Sequence, residues 1–122
     1  MHELSVAMRI VEALDQELAG DVHDLPEEDW AVSSVALQIG ALSGLVPEAL
    51  EFSWDIATQD SLLKGSRLEI QMVDATGFCE HCREERTLTN LQSMRCPVCQ
   101  TPITQITGGN ELEILTVELE VD

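Results

Sequence analysis

The chain has 122 residues, which is enough for one ordinary domain or for one domain that carries a small insert. Hydrophobic residues make up 44% of it, so it can bury a real core and is not a disordered chain. Its net charge of −17 argues against nucleic-acid binding, because an anionic surface repels phosphate. No apolar run has the length of a membrane span and the start lacks a secretory pattern, so we expect a cytoplasmic protein.

The charge is unevenly distributed along the chain. Residues 75–107 hold three acids and three bases, whereas the rest holds the other 20 of the 23 acids and only three of the six bases. An acidic surface of this kind suits cations or basic protein partners, and in many proteins it only provides solubility.

Two predicted elements and one loop precede residue 40. Three- and four-residue spacing predicts an amphipathic helix over the first twenty residues. Its expected buried face consists of Leu4, Ala7, Met8, Val11, Leu14 and Leu18. Asp21–Asp29 reads as an acidic loop broken by Pro26. Alternation over Trp30–Ile39 predicts a strand, and a change of phase within it indicates a bulge.

Pro47 and Glu48 predict the first turn of a second helix that runs to about Thr58, because proline fits the first helical position and an acid favours a helix start. We expect this helix to bury some of its apolar side chains, which are Ala49, Leu50, Phe52, Trp54, Ile56 and Ala57. Alternation predicts two more strands, over Leu68–Met72 and Leu112–Val121. This order of elements predicts the α+β class, with a three-stranded sheet and two helices on one face.

All four cysteines stand in two Cys-x-x-Cys pairs, Cys79 with Cys82 and Cys96 with Cys99, and thirteen residues separate the pairs. Such pairs can supply the four thiolates that Zn(II) prefers in a tetrahedral site. A filled tetrahedron leaves no position for water, so the zinc would be structural. Two disulfides are an alternative that needs an oxidising compartment, and a redox-active pair is another.

The cysteines define the predicted domain organisation. Residues 75–107 form a small zinc-ribbon-like module inserted before the last strand, and residues 1–74 and 108–122 form the α+β domain. His81 lies inside the first cysteine pair and could replace a thiolate, although a solvated loop histidine is the more ordinary interpretation. Metal binding would drive the folding of so small a module.

The start of the chain offers a second set of metal ligands. Methionine is trimmed only before a small residue, so Met1 should remain before His2 and keep a free amine. That amine, the His2 amide and the His2 imidazole can wrap one ion, with the amide or carboxylate of Glu3 as a fourth donor. Planar nitrogen ligands suit Ni(II) or Cu(II). Alternatively, His2 is an ordinary exposed helix residue, and His23 is more a bystander than a ligand.

Three stretches together resemble the HypA/HybF family of nickel metallochaperones for hydrogenase maturation. They are Met1–Ser5, Ile39–Gly44 leading into Pro47–Leu50, and the two cysteine pairs, and in order they cover nearly the whole chain. The resemblance implies that nickel binds at the N-terminus. The α+β domain of residues 1–74 and 108–122 is then the nickel-binding domain. It also implies a partner GTPase of the HypB type, delivery to the hydrogenase large subunit and, in some relatives, support of urease.

Carried over residue by residue, the resemblance makes His2 the main nickel ligand. The Met1 amine and the backbone nitrogens of His2 and Glu3 would lie beside it. The four cysteines would hold structural zinc. We therefore predict a nickel carrier and not an enzyme, with Ni(II) as cargo and Zn(II) as the resident ion.

Two other classes of protein remain as alternatives. A zinc-ribbon adaptor or regulator would use the cysteine module without transferring any metal. An enzyme, such as a small zinc hydrolase or a dithiol oxidoreductase, has less support, because the sequence shows no free zinc position, no Ser/His/Asp set and no phosphate-binding loop.

Overall fold

The structure is a computed structural model that describes residues 3–21, 26 and 29–121. Its elements in chain order are α1 (Glu3–Asp21), β1 (Trp30–Gly40), α2 (Pro47–Ala57), β2 (Arg67–Val73), β3 (Thr76–Cys79), β4 (Glu84–Thr87), β5 (Gln105–Gly108) and β6 (Leu112–Val121). The strands form two three-stranded sheets, in the orders β2-β1-β6 and β4-β3-β5. The predicted α+β class, with a small module inserted before the last strand, is confirmed.

Helix α1 buries a face that differs in part from the predicted one. Its buried side chains are Val6, Ala7, Ile10, Val11, Leu14 and Leu18. Leu4 and Met8 were expected inside, but both are exposed. Apolar residues flank the central stripe of this helix on both sides, so spacing alone does not decide which flank is covered. In the described part of the chain, neither α1 nor α2 combines the length and the apolarity needed to cross a membrane.

Two acids of α1 bind backbone amides near the ends of α2. Val46, the residue before α2, has no side-chain cap of its own, and its N–H donates to Glu3 Oε2 at 3.0 Å. The N–H of Leu62 donates to Asp15 Oδ1 at 3.0 Å. A carboxylate at a helix N-terminus is favourable because the helix dipole is positive there. These acids therefore position the two helices as well as carrying charge.

Helix α2 confirms the expectation that some of its apolar side chains are buried. Leu50 and Trp54 are buried, whereas Phe52 and Ile56 are exposed. The Trp54 Nε1–H donates to Ser66 Oγ at 3.0 Å, so the buried indole has its hydrogen bond. On a surface helix, one face ordinarily packs against the protein and the other is exposed to water.

The central strand β1 carries the most deeply buried side chains of its sheet. Val35, Leu37 and Ile39 are each 0% exposed, and Trp30 and Val32 on the other phase are buried as well. A central strand can lose water from both faces, which accounts for apolar residues on both phases.

The described residues divide into two compact units. The first contains the described parts of Met1–Leu37, Leu45–Ile70 and Ile114–Asp122, and the second consists of Gln38–Gly44 and Gln71–Glu113. The core of the second unit comprises Ala75, Cys79, Leu88, Cys96 and Ile103, against which Ala41 and Leu42 also pack. The division into a domain of residues 1–74 and 108–122 and a module of residues 75–107 stays a prediction.

Backbones cross closely at the edge of the second unit. The Gly40 N–H donates to the Glu111 carbonyl at 2.8 Å, and the Leu42 N–H donates to the Gly109 carbonyl at 2.7 Å. A Cβ on Gly40 would collide with the carbonyl of Gly109. Gly109 itself has φ +117, a conformation that L side chains rarely adopt. The crossing therefore depends on two glycines.

Candidate metal centre

Both cysteine pairs lie in turns with the same backbone geometry. In the first, the Arg83 N–H donates to the Cys79 carbonyl at 2.7 Å; in the second, the Gln100 N–H donates to the Cys96 carbonyl at 2.9 Å. Arg83 and Gln100 both have positive φ, 57° and 66°. Each turn thus reverses the chain immediately after its second cysteine.

Short antiparallel strands hold these turns in place. The first turn joins β3 to β4, with Cys79 opposite Glu84 and Gly77 opposite Arg86 in the register. The second turn is closed by an isolated bridge between Arg95 and Pro102. Because each pair of cysteines sits at the tip of a hairpin, both sulfurs of a pair project to one side.

The four sulfur atoms gather around a common centre. All lie within 4.8 Å of one another, with Cys79 Sγ 3.5 Å from Cys99 Sγ and Cys82 Sγ 4.0 Å from Cys96 Sγ. A tetrahedron with Zn–S distances of about 2.3 Å has sulfur–sulfur edges of about 3.8 Å. All four cysteines are free rather than paired in disulfides. This arrangement fits one tetrahedral ion and leaves no position for a fifth ligand.

Hydrogen bonds around the cluster favour thiolates at one pair. Burial acts to raise the pKa of Cys96, but the backbone amides of Cys99 and Val98 donate to its sulfur, and the pKa falls to about 6. Thr101, whose Oγ1 lies 3.2 Å from Cys99 Sγ, lowers the pKa of Cys99 through its side chain and its backbone. Sulfurs that already lose their protons readily are suited to bind a cation.

Cys82 differs from these two. The Arg86 guanidinium acts to lower the pKa of Cys82, but hydrogen bonds with the other thiols and burial raise it to about 11. The four sulfurs without an ion therefore hold a mixture of thiol and thiolate. A cation that enters the cluster replaces the remaining protons. Metal binding is therefore coupled to proton release.

Arg86 is the charged residue that faces the sulfurs from β4. Its pKa is raised, first by its hydrogen bond with Cys82 and also by one with Cys96. Its Nη1 forms an ion pair with Glu84 Oε2 at 2.8 Å. Its Nε is buried and has no hydrogen-bond partner among the described residues. A half-buried cation beside four sulfurs is suited to balance the negative charge of a tetrathiolate metal centre.

The other residues predicted as ligands take no part in this cluster. His81 is exposed and is not one of the four residues whose ligand atoms converge. Met1, His2 and His23 lie outside the described residues. Glu3 is described, and its carboxylate accepts the Val46 N–H as the first residue of α1.

Comparison with known proteins assigns the family. The family model described as "Hydrogenase/urease nickel incorporation, metallochaperone, hypA" matches residues 1–119. The chain belongs to the HypA family. Two relatives, both hydrogenase maturation factors HypA, are from Chloroflexus aurantiacus (strain ATCC 29366 / DSM 635 / J-10-fl), with 43% identity, and Chloroflexus aggregans (strain MD-66 / DSM 9485), with 42%. Each alignment covers 97% of this chain and 98% of the relative.

Two solved HypA structures have the same fold. The solution structure of the Ni metallochaperone HypA from Helicobacter pylori matches with a TM-score of 0.62 over all of both chains, at 24% identity, which concerns the fold alone. The solution structure of a second HypA protein matches with a TM-score of 0.62 and 25% identity, over 100% of this chain and 98% of that one. Membership of the HypA family makes the chain a metallochaperone for nickel incorporation in hydrogenase maturation, and not an enzyme.

Sequence reasoning missed three contributors to the centre. Arg86 carried no signal, because an arginine that follows two glutamates is an ordinary surface pattern. Thr101 follows the last cysteine by two residues, a position from which a side chain can reach a turn sulfur, and this spacing could have indicated it. The packing of Ala41 and Leu42 against the cysteine core joins residues far apart in sequence, so no local pattern predicts it.

Proposed function

We propose that the protein carries Ni(II) at its N-terminus and delivers it for the maturation of [NiFe] hydrogenase, while its four cysteines hold a structural Zn(II). The observation that carries the second half is the convergence of four free sulfurs within 4.8 Å. Membership of a nickel-incorporation family carries the first half. Zinc bound there would cross-link both hairpins and would supply no open ligand position for chemistry.

The nickel ligands in this proposal are those of the chain start. The His2 imidazole is the main ligand, and the Met1 amine and the backbone nitrogens of His2 and Glu3 complete a planar set. An amine, an imidazole and amides must lose protons before they coordinate, so nickel affinity should rise with pH. A site at a chain end suits transfer, because its ligands can leave one at a time.

Glu3 has a second role that the sequence did not indicate. Its carboxylate accepts the Val46 N–H at 3.0 Å, which ties the first described turn of α1 to the start of α2. We therefore assign the Glu3 contribution to nickel chiefly to its backbone nitrogen. Its side chain would hold the chain start against α2 instead.

The partners in this proposal follow the same pathway. A nickel GTPase of the HypB type would receive or supply the ion, and the hydrogenase large subunit would be the final acceptor. Support of urease is included, because the family description names both enzymes. The net charge of −17 supports basic protein partners and opposes nucleic acid. We place the protein in the cytoplasm.

The alternative of a zinc-ribbon adaptor that transfers no metal gives a different result in one experiment. Untagged protein, His2→Ala and a variant with a short N-terminal Gly-Ser extension are titrated with Ni(II) by calorimetry, and zinc content is measured by elemental analysis. The proposal expects strong nickel binding only in the untagged protein and one zinc per chain in all three. Equal nickel binding in all three would contradict the assignment of the N-terminus.

A second experiment tests delivery separately from binding. Hydrogenase activity is measured in cells that lack their own maturation factor and that express each of the three versions. We expect only the untagged, unsubstituted protein to restore activity at low external nickel. Restoration by His2→Ala at the same nickel level would favour the adaptor.

A further inference from the structure

Strand β6 forms an open edge of its sheet. In the order β2-β1-β6 it pairs with β1 on one side, and no strand of the described chain pairs with its other side. All ten residues of β6 except Val117 are exposed. A long edge strand presents a row of backbone N–H and C=O groups that a strand from another molecule can bind.

The exposed side chains of β6 are unusually apolar for such an edge. Ile114 and Leu115 are each 41% exposed, Leu119 is 39% exposed and Val121 is 61% exposed. Because side chains alternate along a strand, Leu115, Val117, Leu119 and Val121 share one face. Removing apolar surface of this kind from water stabilises a complex.

Charge selects among the possible occupants of this edge. Residues 110–122 contain five acids, namely Glu111, Glu113, Glu118, Glu120 and Asp122, and no base. If two copies of β6 paired, they would bring carboxylates together, and like charges opposite each other destabilise a strand pair. Natural edge strands use such charges to prevent self-association. A strand that carries lysine or arginine would not be repelled by these carboxylates.

We propose that β6 is the docking strand for a basic protein partner, which adds a strand of alternating basic and apolar residues alongside residues 114–121. Glu118 and Glu120 lie on one face of β6, and Leu119 and Val121 lie on the other. The basic side chains of the added strand would pair with the two glutamates. Its apolar side chains would cover the opposite face, while backbone hydrogen bonds extend the sheet.

The test uses the full-length, zinc-loaded protein labelled with ¹⁵N and three synthetic peptides as probes. The first peptide alternates lysine and valine, the second has the same residues in two blocks, and the third alternates glutamate and valine. We expect the first to shift the amide signals of residues 114–121 and the second to bind at least about tenfold more weakly, because only alternation matches the two faces. The third should not bind.

Two matched variants separate strand pairing from general attraction. Glu118→Lys/Glu120→Lys reverses the acidic face of β6, and Glu51→Lys/Asp55→Lys makes the same change of net charge on exposed residues of α2. The β6 variant should lose at least about tenfold in affinity for the lysine–valine peptide and bind the glutamate–valine peptide instead. The α2 variant should stay within about twofold of the parent.

Three results would overturn the proposal. Equal binding of the block peptide would mean attraction without strand pairing, and amide shifts confined to other elements would place the contact elsewhere. If the lysine–valine peptide did not bind, the glutamates would serve only to prevent self-association of the edge strand. A dimer in analytical ultracentrifugation that dissociates on Leu119→Lys would make a second copy of this chain the occupant.

Discussion

The cysteine cluster and the start of the chain, where we propose that nickel binds, differ in the kind of ligand they offer: thiolates from two turns in the first, and nitrogen atoms of a chain end in the second. Each cysteine sits at a hairpin tip whose backbone hydrogen bonds are closed within the same unit, and Cys79 and Cys96 are at most 1% exposed. At the chain start, the Glu3 carboxylate accepts the Val46 N–H. A pre-arranged, buried ligand set favours retention of an ion, and a chain end favours exchange.

The strongest test of this contrast removes one ligand of the buried set. Cys96→Ser should abolish zinc retention and unfold the second unit, because the apparent binding free energy of structural zinc is about 10–16 kcal/mol. The helical far-UV circular dichroism from α1 and α2 should remain. We would measure zinc by elemental analysis and unit-specific unfolding by amide hydrogen exchange. A folded, zinc-loaded variant would show that three sulfurs suffice.

The next largest effect concerns the chain start. His2→Ala should lower nickel affinity about 100-fold, equivalent to about 3 kcal/mol, and leave zinc content unchanged. His81→Ala is the matched control, because His81 is exposed in the first cysteine turn and should affect neither metal. Competition with a chromophoric chelator measures both constants. Loss of nickel binding in the His81 variant instead would move the cargo site to the cysteine module.

A smaller effect is expected from Arg86, which sharpens the view of the cysteine cluster as a charge-balanced site. A tetrathiolate zinc centre carries a net charge of about −2, so a nearby cation stabilises it. Arg86→Met should speed zinc transfer to a chelator about tenfold, and Arg86→Lys should restore part of the difference. Arg95→Met is the control, since Arg95 is exposed and donates to the Gln100 carbonyl at 3.0 Å.

If Arg95→Met and Arg86→Met released zinc at the same increased rate, general loss of positive charge would explain both. Thermal unfolding of the two zinc-free variants is a second measurement that distinguishes these explanations. Charge balance predicts that Arg86→Met lowers the unfolding temperature more than Arg95→Met does, because Arg86 makes hydrogen bonds with Cys82 and Cys96.

The smallest effect is expected from Glu3→Gln. Glutamine keeps an oxygen that can accept the Val46 N–H, so stability should fall by no more than about 0.5–1 kcal/mol. Nickel affinity should change less than about threefold if the backbone of residue 3 supplies the ligand. Glu3→Ala, which removes the acceptor, should cost more stability. A loss of nickel affinity in Glu3→Gln as large as in His2→Ala would make the carboxylate a ligand.

Much of this fold was predictable because its main signals are local. The cysteine pairs fix their own spacing, Pro47 marks a helix start, and alternation outlines β1 and β6. Strands β3, β4 and β5 were not predicted individually, because each has only four residues and their pairing depends on the turns between them. The exposed flank of α1 was assigned wrongly at Leu4 and Met8, since the choice between two apolar flanks is made by packing.

Non-local contacts account for what the sequence did not reveal about the centre. The Arg86 side chain reaches the sulfurs through the register of β3 and β4, and Glu3 meets Val46 across more than forty residues of chain. Neither contact follows from a motif. In each contact a polar side chain pairs with a group that needs a partner, a backbone N–H in one case and the cysteine sulfurs in the other. Such pairings can be recognised only in the folded structure.

The crossing of Gly40 and Gly109 has a practical consequence for protein engineering. Because Ala41 and Leu42 pack against the cysteine core, a transplanted segment that contained only residues 75–107 would leave an uncovered hydrophobic patch. A graft into another host should therefore include residues 38–44 as a separate piece of chain. The host would have to tolerate two entry points, and both glycines would have to travel with the graft.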